Sequence, residues 1–470
     1  MTTLKRNIIY NDALETIGNT PLVRINRITR SEGIDCEILA KWEGRNPGGS
    51  VKDRPVYRMV REAEQAGILK PGMTLIEPTS GNTGVAIAMV GAVLGYKCVL
   101  IITDKMSKEK VDIISSLGAT AIRATKLANE ESPDSHIGVA KQLLEVIPDS
   151  VMLQQYHNPN NPLAHYDTTA EELYEACDGK IDYFVAGVGT CGTICGVARK
   201  LKAKIPNIKI VAADPYNSIL TPGSDKNPKK PFLVEGIGLR FYPGNLDYSL
   251  IDEWVNVTDE ETFNMSRRMM REEGMLIGGS AGTAMAAAVK IGKRLSKGER
   301  VVVLQPDSIR NYLTTFVNDE WMVEKDLSIL QPKPSWNNLT IKEANLKKAL
   351  VCLEVDISAE HAVKSLKHKQ LTVMALQNEL GFCTGIATLG NIEFVLETGK
   401  VKPDQAVSAC MYPTFDVVDR SATCEQTALL FKDFPFILVS QGSLDRNKLP
   451  VSDIEGVLDP SVFFEHINRK

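Results

Sequence analysis

Between about residues 34 and 310, short β-branched runs alternate with stretches of helical periodicity, and this alternation constrains the fold more than any other feature of the chain. Thr74-Leu75-Ile76-Glu77 precedes a helical pattern over 85–94, and Lys97-Cys98-Val99-Leu100-Ile101-Ile102 precedes one over 108–117. Tyr183-Phe184-Val185-Ala186 leads to a pattern over 194–201, and Val301-Val302-Val303-Leu304 to one over 312–317. Strand and helix in alternation predict parallel sheets with helices on both faces. The spacing of the units is irregular, so no tandem repeat is expected in this part.

A chain of 470 residues is long for one core and predicts two or three domains. Residues 326–340, with Pro332 and Pro334 and little periodicity, read as a boundary. The expected organisation is a catalytic domain over 1–328, a linker over 329–340 and a smaller domain over 341–470. In that tail, Thr384-Gly385-Ile386-Ala387-Thr388 and Glu455-Gly456-Val457-Leu458-Asp459 occupy similar places in two similar halves, which predicts a two-fold repeat. A net charge of −4 gives no reason to expect nucleic acid or an anionic membrane as partner. The longest apolar run, 85–95, is too short to cross a bilayer, and the first residues lack an apolar signal core. The nine cysteines are scattered singly and form no CxxC pair. Neither a metal site nor a disulfide framework is expected, and a reducing cytoplasm fits best.

Lys52 follows Asn46-Pro47-Gly48-Gly49-Ser50-Val51 and opens a helical pattern, while Cys36-Glu37-Ile38-Leu39-Ala40 before it reads as a strand. A lysine at a strand-to-helix junction, held among apolar groups, loses some preference for its charged form. It can then act as an amine nucleophile and form an imine with a carbonyl cofactor. A solvated lysine at a helix start is the competing reading for such a residue taken alone. The second informative stretch is Glu77-Pro78-Thr79-Ser80-Gly81-Asn82-Thr83-Gly84. Its hydroxyls, amide and backbone N–H groups meet at a helix N-terminus and suit a carboxylate, and they exceed what a helix cap needs. Asn82 can also reach a ring hydroxyl. The third stretch, Gly187-Val188-Gly189-Thr190-Cys191-Gly192-Thr193, lets backbone N–H groups converge on a phosphate. No P-loop lysine accompanies it, so a nucleoside triphosphate is not expected. In the fourth, Pro306-Asp307-Ser308, a hydroxyl at a strand end can face a ring nitrogen or simply cap the strand.

Together these parts describe a pyridoxal phosphate enzyme, and the chain resembles the fold-type II family of cysteine synthases and cystathionine β-synthases. Besides the four stretches, the resemblance rests on Gly18-Asn19-Thr20-Pro21-Leu22, Asn161-Pro162-Leu163-Ala164-His165-Tyr166, Ala213-Asp214-Pro215, Glu235-Gly236-Ile237-Gly238 and Gly278-Gly279-Ser280-Ala281-Gly282. They occur in order over about residues 10–325. The tail, through Thr388-Leu389-Gly390-Asn391 and Gly399-Lys400-Val401, resembles the regulatory pair of CBS motifs in animal members. The resemblance implies an α/β fold with two open parallel-sheet lobes and a C-terminal α+β regulatory domain. It implies pyridoxal 5'-phosphate as cofactor, small amino-acid and thiol substrates, and a homodimer or higher homo-oligomer. The implied reaction is a β-replacement joining serine and homocysteine, with O-acetylserine or cysteine chemistry as the alternative and a silent sensor as a third reading.

Residue by residue, the resemblance makes Lys52 the cofactor-bound lysine and general base, with Tyr156 beside the reacting centre. It gives Asn82 to the ring hydroxyl, Gly189, Thr190, Cys191, Gly192 and Thr193 to the phosphate, and Ser308 to the ring nitrogen. Thr79, Ser80, Thr83, Gln155 and Gly236 fall to the substrate. The chain departs from the family in four places. No Cys-Pro and His arm precedes the core, so no haem is expected. Cys191 stands where a glycine is usual; its β-carbon is tolerable if the backbone angle there is right-handed, and the substitution bears on cofactor affinity. Leu239-Arg240 replaces Tyr-Asp at the site entrance, which bears on the second substrate. The tail lacks the two aspartates of the S-adenosylmethionine sites, with Asp459 out of register, so a weak response or none is expected.

Overall fold

The computed structural model describes residues 8–79, 81–103, 107–124, 132–225, 231–328 and 336–468. They fall into two compact units divided between Leu330 and Gln331. Residues 329–335 of the expected linker lie outside the described set.

The first unit is built on ten strands: β1 Leu22–Arg24, β2 Glu37–Trp42, β3 Thr74–Pro78, β4 Lys97–Thr103, β5 Thr120–Ala124, β6 Ser150–Met152, β7 Tyr183–Gly187, β8 Lys209–Pro215, β9 Glu253–Val257 and β10 Arg300–Gln305. They make two sheets, ordered β1-β2-β10-β7-β8-β9 and β5-β4-β3-β6. Every pairing is parallel except β1 with β2. In β10, Val301 and Val303 pack on one face against the helix Gly279–Gly292. Val302 and Leu304 pack on the other against the helix Gly192–Lys204. A strand covered on both faces needs apolar residues at every position, which is why these strands read as continuous aliphatic runs. The helix Asn82–Leu94 is apolar nearly all round and is buried beside the four-stranded sheet. It stops at Gly95, whose φ of 80° suits a glycine and whose N–H reaches the Gly91 carbonyl.

One expected helix is absent. Residues 313–317 form turns, and a short helix, Asp319–Glu324, follows. Tyr312 and Phe316 have the four-residue spacing of a helix. They are held instead by packing with Phe263, with ring centroids of Phe263 and Phe316 5.2 Å apart, and by a bond from the Tyr312 phenol to Asp307.

The second unit contains β11 Val351–Glu354, β12 Val373–Gln377, β13 Cys383–Thr388, β14 Asp416–Asp419, β15 Ile437–Ser440 and β16 Ile454–Leu458. These form two three-stranded sheets, β11-β12-β13 and β14-β15-β16, each with one parallel and one antiparallel pairing in the same order. The two similar sequence segments lie on β13 and β16, the antiparallel strand of each sheet.

Candidate active site

Parallel strands place their C-terminal ends on one side, and β2, β10 and β7 are neighbours. The segments that follow them therefore converge: Lys52 after β2, Ser308 after β10 and the 189–193 loop after β7. The 79–84 loop joins them from β3 in the other sheet. Lys52 and the two loops border a cavity of about 250 Å³ lined by Lys52, Thr79, Asn82, Thr83, Gln155, Tyr156, Gly189, Thr190, Cys191, Thr193 and Gly236, among others; from the segment after β10 it is Pro306, not Ser308, that lines it.

Lys52 is the residue immediately before the helix Asp53–Gln65. The turn that delivers it is tied down from several sides. Gly49 has φ of 83°, which glycine adopts without a Cβ penalty. The Gly48 N–H donates to Asp53 Oδ2 at 2.6 Å, and Arg310 donates to the Gly48 carbonyl. Val51 N–H donates to the Pro306 carbonyl at 2.7 Å, Ser308 N–H to that of Gly49 at 3.1 Å, and Ser50 bridges Asp307. The turns after β2 and β10 are thus one backbone unit. Burial lowers the pKa of the Lys52 ammonium below its usual range, against the opposing attraction of Asp307. Among the described residues Lys52 makes no ion pair. Burial likewise pushes the neighbouring Asp53 carboxyl up to about 7, against its Gly48 bond and Arg310.

In the second loop, Thr79 Oγ1 accepts from the N–H groups of Gly81 and Gly84, at 3.3 and 3.1 Å. Thr83 donates to Gln155 Oε1 at 2.6 Å. Gln155 is fixed further by its own N–H, which donates to Glu77, and burial pushes that carboxyl up to about 7. Ser80 lies outside the described residues. Both ends of the Asn82 amide are held: Nδ2 donates to Asp307 Oδ2 at 2.7 Å, and Oδ1 accepts from Asn311 at 3.0 Å. Tyr156 packs edge-on to Phe241, with ring centroids 4.9 Å apart, and both line the cavity.

The 189–193 loop turns through Cys191, which has φ of 60° and ψ of 1°. The condition under which a β-carbon is readily tolerated here, a right-handed backbone, is not met. The left-handed conformation costs a β-carbon about 1–2 kcal/mol, and packing offsets it, since Cys191 is buried in the apolar layer beneath the loop. Thr190 Oγ1 accepts from Asn161 at 3.0 Å. A β-carbon on Gly189 would stand 2.6 Å from the Gly236 carbonyl, so the loop and Gly236 touch backbone to backbone. Ser308 is the cap of a short turn, its hydroxyl accepting from Arg310 N–H at 3.4 Å.

Sequence reading passed over an ionic cluster behind Asn82. Asp307 is fully buried and accepts from Tyr312 Oη at 2.5 Å as well as from Asn82. Lys110 is buried too, pairs with Glu235 at 2.6 Å, and lies 4.2 Å from the Tyr312 ring centroid. Burial raises the pKa of both Asp307 and Glu235, and Lys110 opposes it in each. Apart from Asp307 and Tyr312, the partners of this cluster are too far apart in sequence for any local pattern to join them. Lys110, His136, Leu239 and Arg240 line the cavity as well.

A lysine with a depressed pKa, a turn of backbone N–H groups at a helix start and a held amide between them define an enzyme that works through pyridoxal phosphate. The chain belongs to the family described as pyridoxal-phosphate dependent enzymes, whose model matches residues 13–307. Within that family its relatives are cystathionine beta-synthases. It is 45% identical to that of Rattus norvegicus over 95% of this chain and 81% of the relative. It is 44% identical to that of Apis mellifera over 92% and 86%. The solved O-acetylserine dependent cystathionine beta-synthase from Helicobacter pylori superposes with a TM-score of 0.60 at 37% identity, covering 66% of this chain and 99% of that one. The residues present fit the cofactor: the cavity has room for it, Lys52 lines it without an ion pair among the described residues, and Gly189, Thr190, Cys191 and Thr193 of the loop line it at the start of a helix.

Proposed function

We propose that the chain catalyses pyridoxal phosphate-dependent β-replacement, condensing L-serine with L-homocysteine to L-cystathionine and water. The observation that carries this reading is the placement of Lys52, with its lowered pKa, on a cavity shared with Asn82, Thr83, Gln155 and the 189–193 loop. When bound, pyridoxal phosphate supplies an electron sink for the pair left on the substrate α-carbon. Lys52 would hold its aldehyde carbon, Asn82 its ring hydroxyl, Ser308 its ring nitrogen and residues 189–193 its phosphate. Thr79, Ser80, Thr83 and Gln155 bind the substrate carboxylate, with Gly236 and Tyr156 beside the reacting carbon. Once the substrate's amino group has displaced it from that carbon, the freed Lys52 Nζ would take the α-proton as general base and pass a proton to the departing hydroxyl, which leaves as water; the homocysteine sulfur would then bond to the β-carbon and a proton return to the α-carbon. A neutral serine at the ring nitrogen does not force its protonation as a carboxylate would, which favours loss of the β-hydroxyl over transamination.

The purified enzyme should make cystathionine from serine and homocysteine, and Lys52→Ala should lose at least about a thousandfold in turnover while keeping its melting temperature. Product only from O-acetylserine and sulfide would defeat this substrate assignment, and full turnover by Lys52→Ala would defeat the role of the lysine.

The finer organisation belongs to the same proposal: a catalytic domain over 1–328 and a regulatory CBS pair over 341–470. The matching strand pairings of the two C-terminal sheets support it. A homodimer in the cytoplasm is the expected setting, and nine free cysteines accord with a reducing compartment. No helix among the described residues is long and apolar enough to cross a membrane. Light scattering reads the oligomer, and calorimetry with S-adenosylmethionine reads the tail, where tight binding would overturn the expectation of a weak response.

A further inference from the structure

His165 is buried without being part of any apolar cluster, and the mechanism above gives it no task. It opens a single π-helical turn, His165–Thr169, set between the α-helical segments Asn160–Ala164 and Ala170–Ala176. Such widened turns recur at functional sites. The helix Gly192–Lys204 lies against this turn at Gly196, where a β-carbon would collide with the Pro162 carbonyl and come within 3.0 Å of His165 Cβ. That close approach brings the imidazole to the first turn of the helix. His165 Nε2 stands 3.2 Å from Thr193 Oγ1, and its Nδ1 stands 2.9 Å from Thr169 Oγ1.

The ring is neutral. Burial and the cations Arg54 and Lys52 hold its pKa down at about 3, and Glu43 and Glu172 only partly oppose them. A neutral imidazole has one N–H and one lone pair, so two arrangements are open to it. In one, Thr193 donates its hydrogen to Nε2 and turns a lone pair toward the cavity. In the other, Nε2–H donates to Thr193, Thr169 donates to Nδ1, and the Thr193 hydrogen is free to point into the cavity that Thr193 lines. Only the second arrangement welcomes an anion.

We propose that His165 is a positioning residue: its Nε2–H, donated to Thr193, commits the Thr193 hydroxyl to donate to the cofactor phosphate. This rests on residues 189–193 being the phosphate loop. It also explains why a histidine occupies the site. The residue must offer a donor to one hydroxyl and an acceptor to the other along one rigid plane, without carrying charge.

The test uses the holoenzyme. With ¹⁵N-labelled histidine, six residues give ring signals, and His165 should show the Nε2–H tautomer; the Nδ1–H tautomer would overturn the proposal. His165→Gln sets an amide nitrogen near the Nε2 position, whereas His165→Asn sets one near Nδ1. His165→Asn should raise the dissociation constant for pyridoxal phosphate about tenfold and shift the ³¹P resonance of the bound phosphate, as loss of one good hydrogen bond would. His165→Gln should stay close to the parent in both. Equal damage from the two variants would reduce His165 to packing and sink the proposal. Thr193→Val separates the layers. If it leaves the ³¹P resonance and the affinity unchanged, the phosphate-loop reading itself fails. If it shifts them while His165→Asn does not, only the role of His165 fails.

Discussion

The two units handle polar groups in opposite ways. In the first, Lys41, Glu43, Asp53, Arg54, Glu77, Lys110, His165, Asp214, Arg267 and Asp307 are all buried. In the second, the buried polar side chains among the described residues are Asn337, Thr427 and Ser440, none of them ionisable. Its ion pairs, such as Arg420 with Glu455, lie at the surface. Buried charge is a poor route to stability, because desolvation consumes most of the attraction. A unit that tolerates so much of it is holding groups in fixed places. Arg54 shows how: it donates to Glu43, Glu172, Thr20 and Thr168, and so ties the helix that begins beside Lys52 to the strand before it. The second unit is made chiefly of hydrocarbon, in three clusters around Leu376, Ile437 and Leu438.

This contrast can be broken, most forcefully at Arg54. Arg54→Ala should destabilise the first unit by about 3–5 kcal/mol, because Glu43 is left charged and buried without its partner. Hydrogen exchange reads each unit separately, which a single melting temperature cannot do for two units. A loss below about 1 kcal/mol would mean that the network carries no structural weight. Leu376→Ala, at a fully buried position of the second unit, should cost about 2–5 kcal/mol through the cavity it leaves.

A pH series sharpens the same comparison. Burial lifts Glu77 and Asp53 to about 7. A carboxyl whose folded pKa is raised contributes stability below its unfolded value and loses it as pH climbs through the folded one. From pH 6.5 to 8 the first unit should weaken by on the order of 1 kcal/mol, with the second nearly flat in the same exchange experiment. Below 6.5 His165 acts in the other direction, since the unfolded chain protonates it and the folded one does not. Glu43, held down at about 2 by Arg54 against its burial, makes its contribution fully above 4.5 and gives it up only as pH falls toward 2. The smallest effect belongs to Arg420→Ala, a half-exposed partner in a surface pair, which should cost under about 1 kcal/mol.

Much of the scaffold was legible because period carries it: continuous aliphatic runs for strands covered on two faces, and apolar spacing for the helices between them. The four site segments were legible for a different reason. Glycine turns and capping hydroxyls at strand ends are short, local and chemically distinctive. Tyr312 and Phe316 misled because helical spacing can also come from two rings filling one cluster. The backbone at Cys191 was not legible because nothing in sequence reports the sign of φ. Lys110, Glu235, Asp307 and His165 gained no role because each is defined by a partner far along the chain. His165 stood in a stretch that had already been singled out, yet only the packing at Gly196 reveals which hydroxyl it meets.

The bridge between Ser50 and Asp307 also bears on how such a chain is made. The second strand of the first unit pairs with its last, so the turn carrying the reactive lysine cannot lock until residue 308 has left the ribosome. Until then β2 lacks its parallel neighbour and β7 has an open edge, the kind of surface that other chains adhere to. A nascent chain arrested before residue 300 should therefore need chaperone protection and should bind no cofactor, however much of its sheet has already formed.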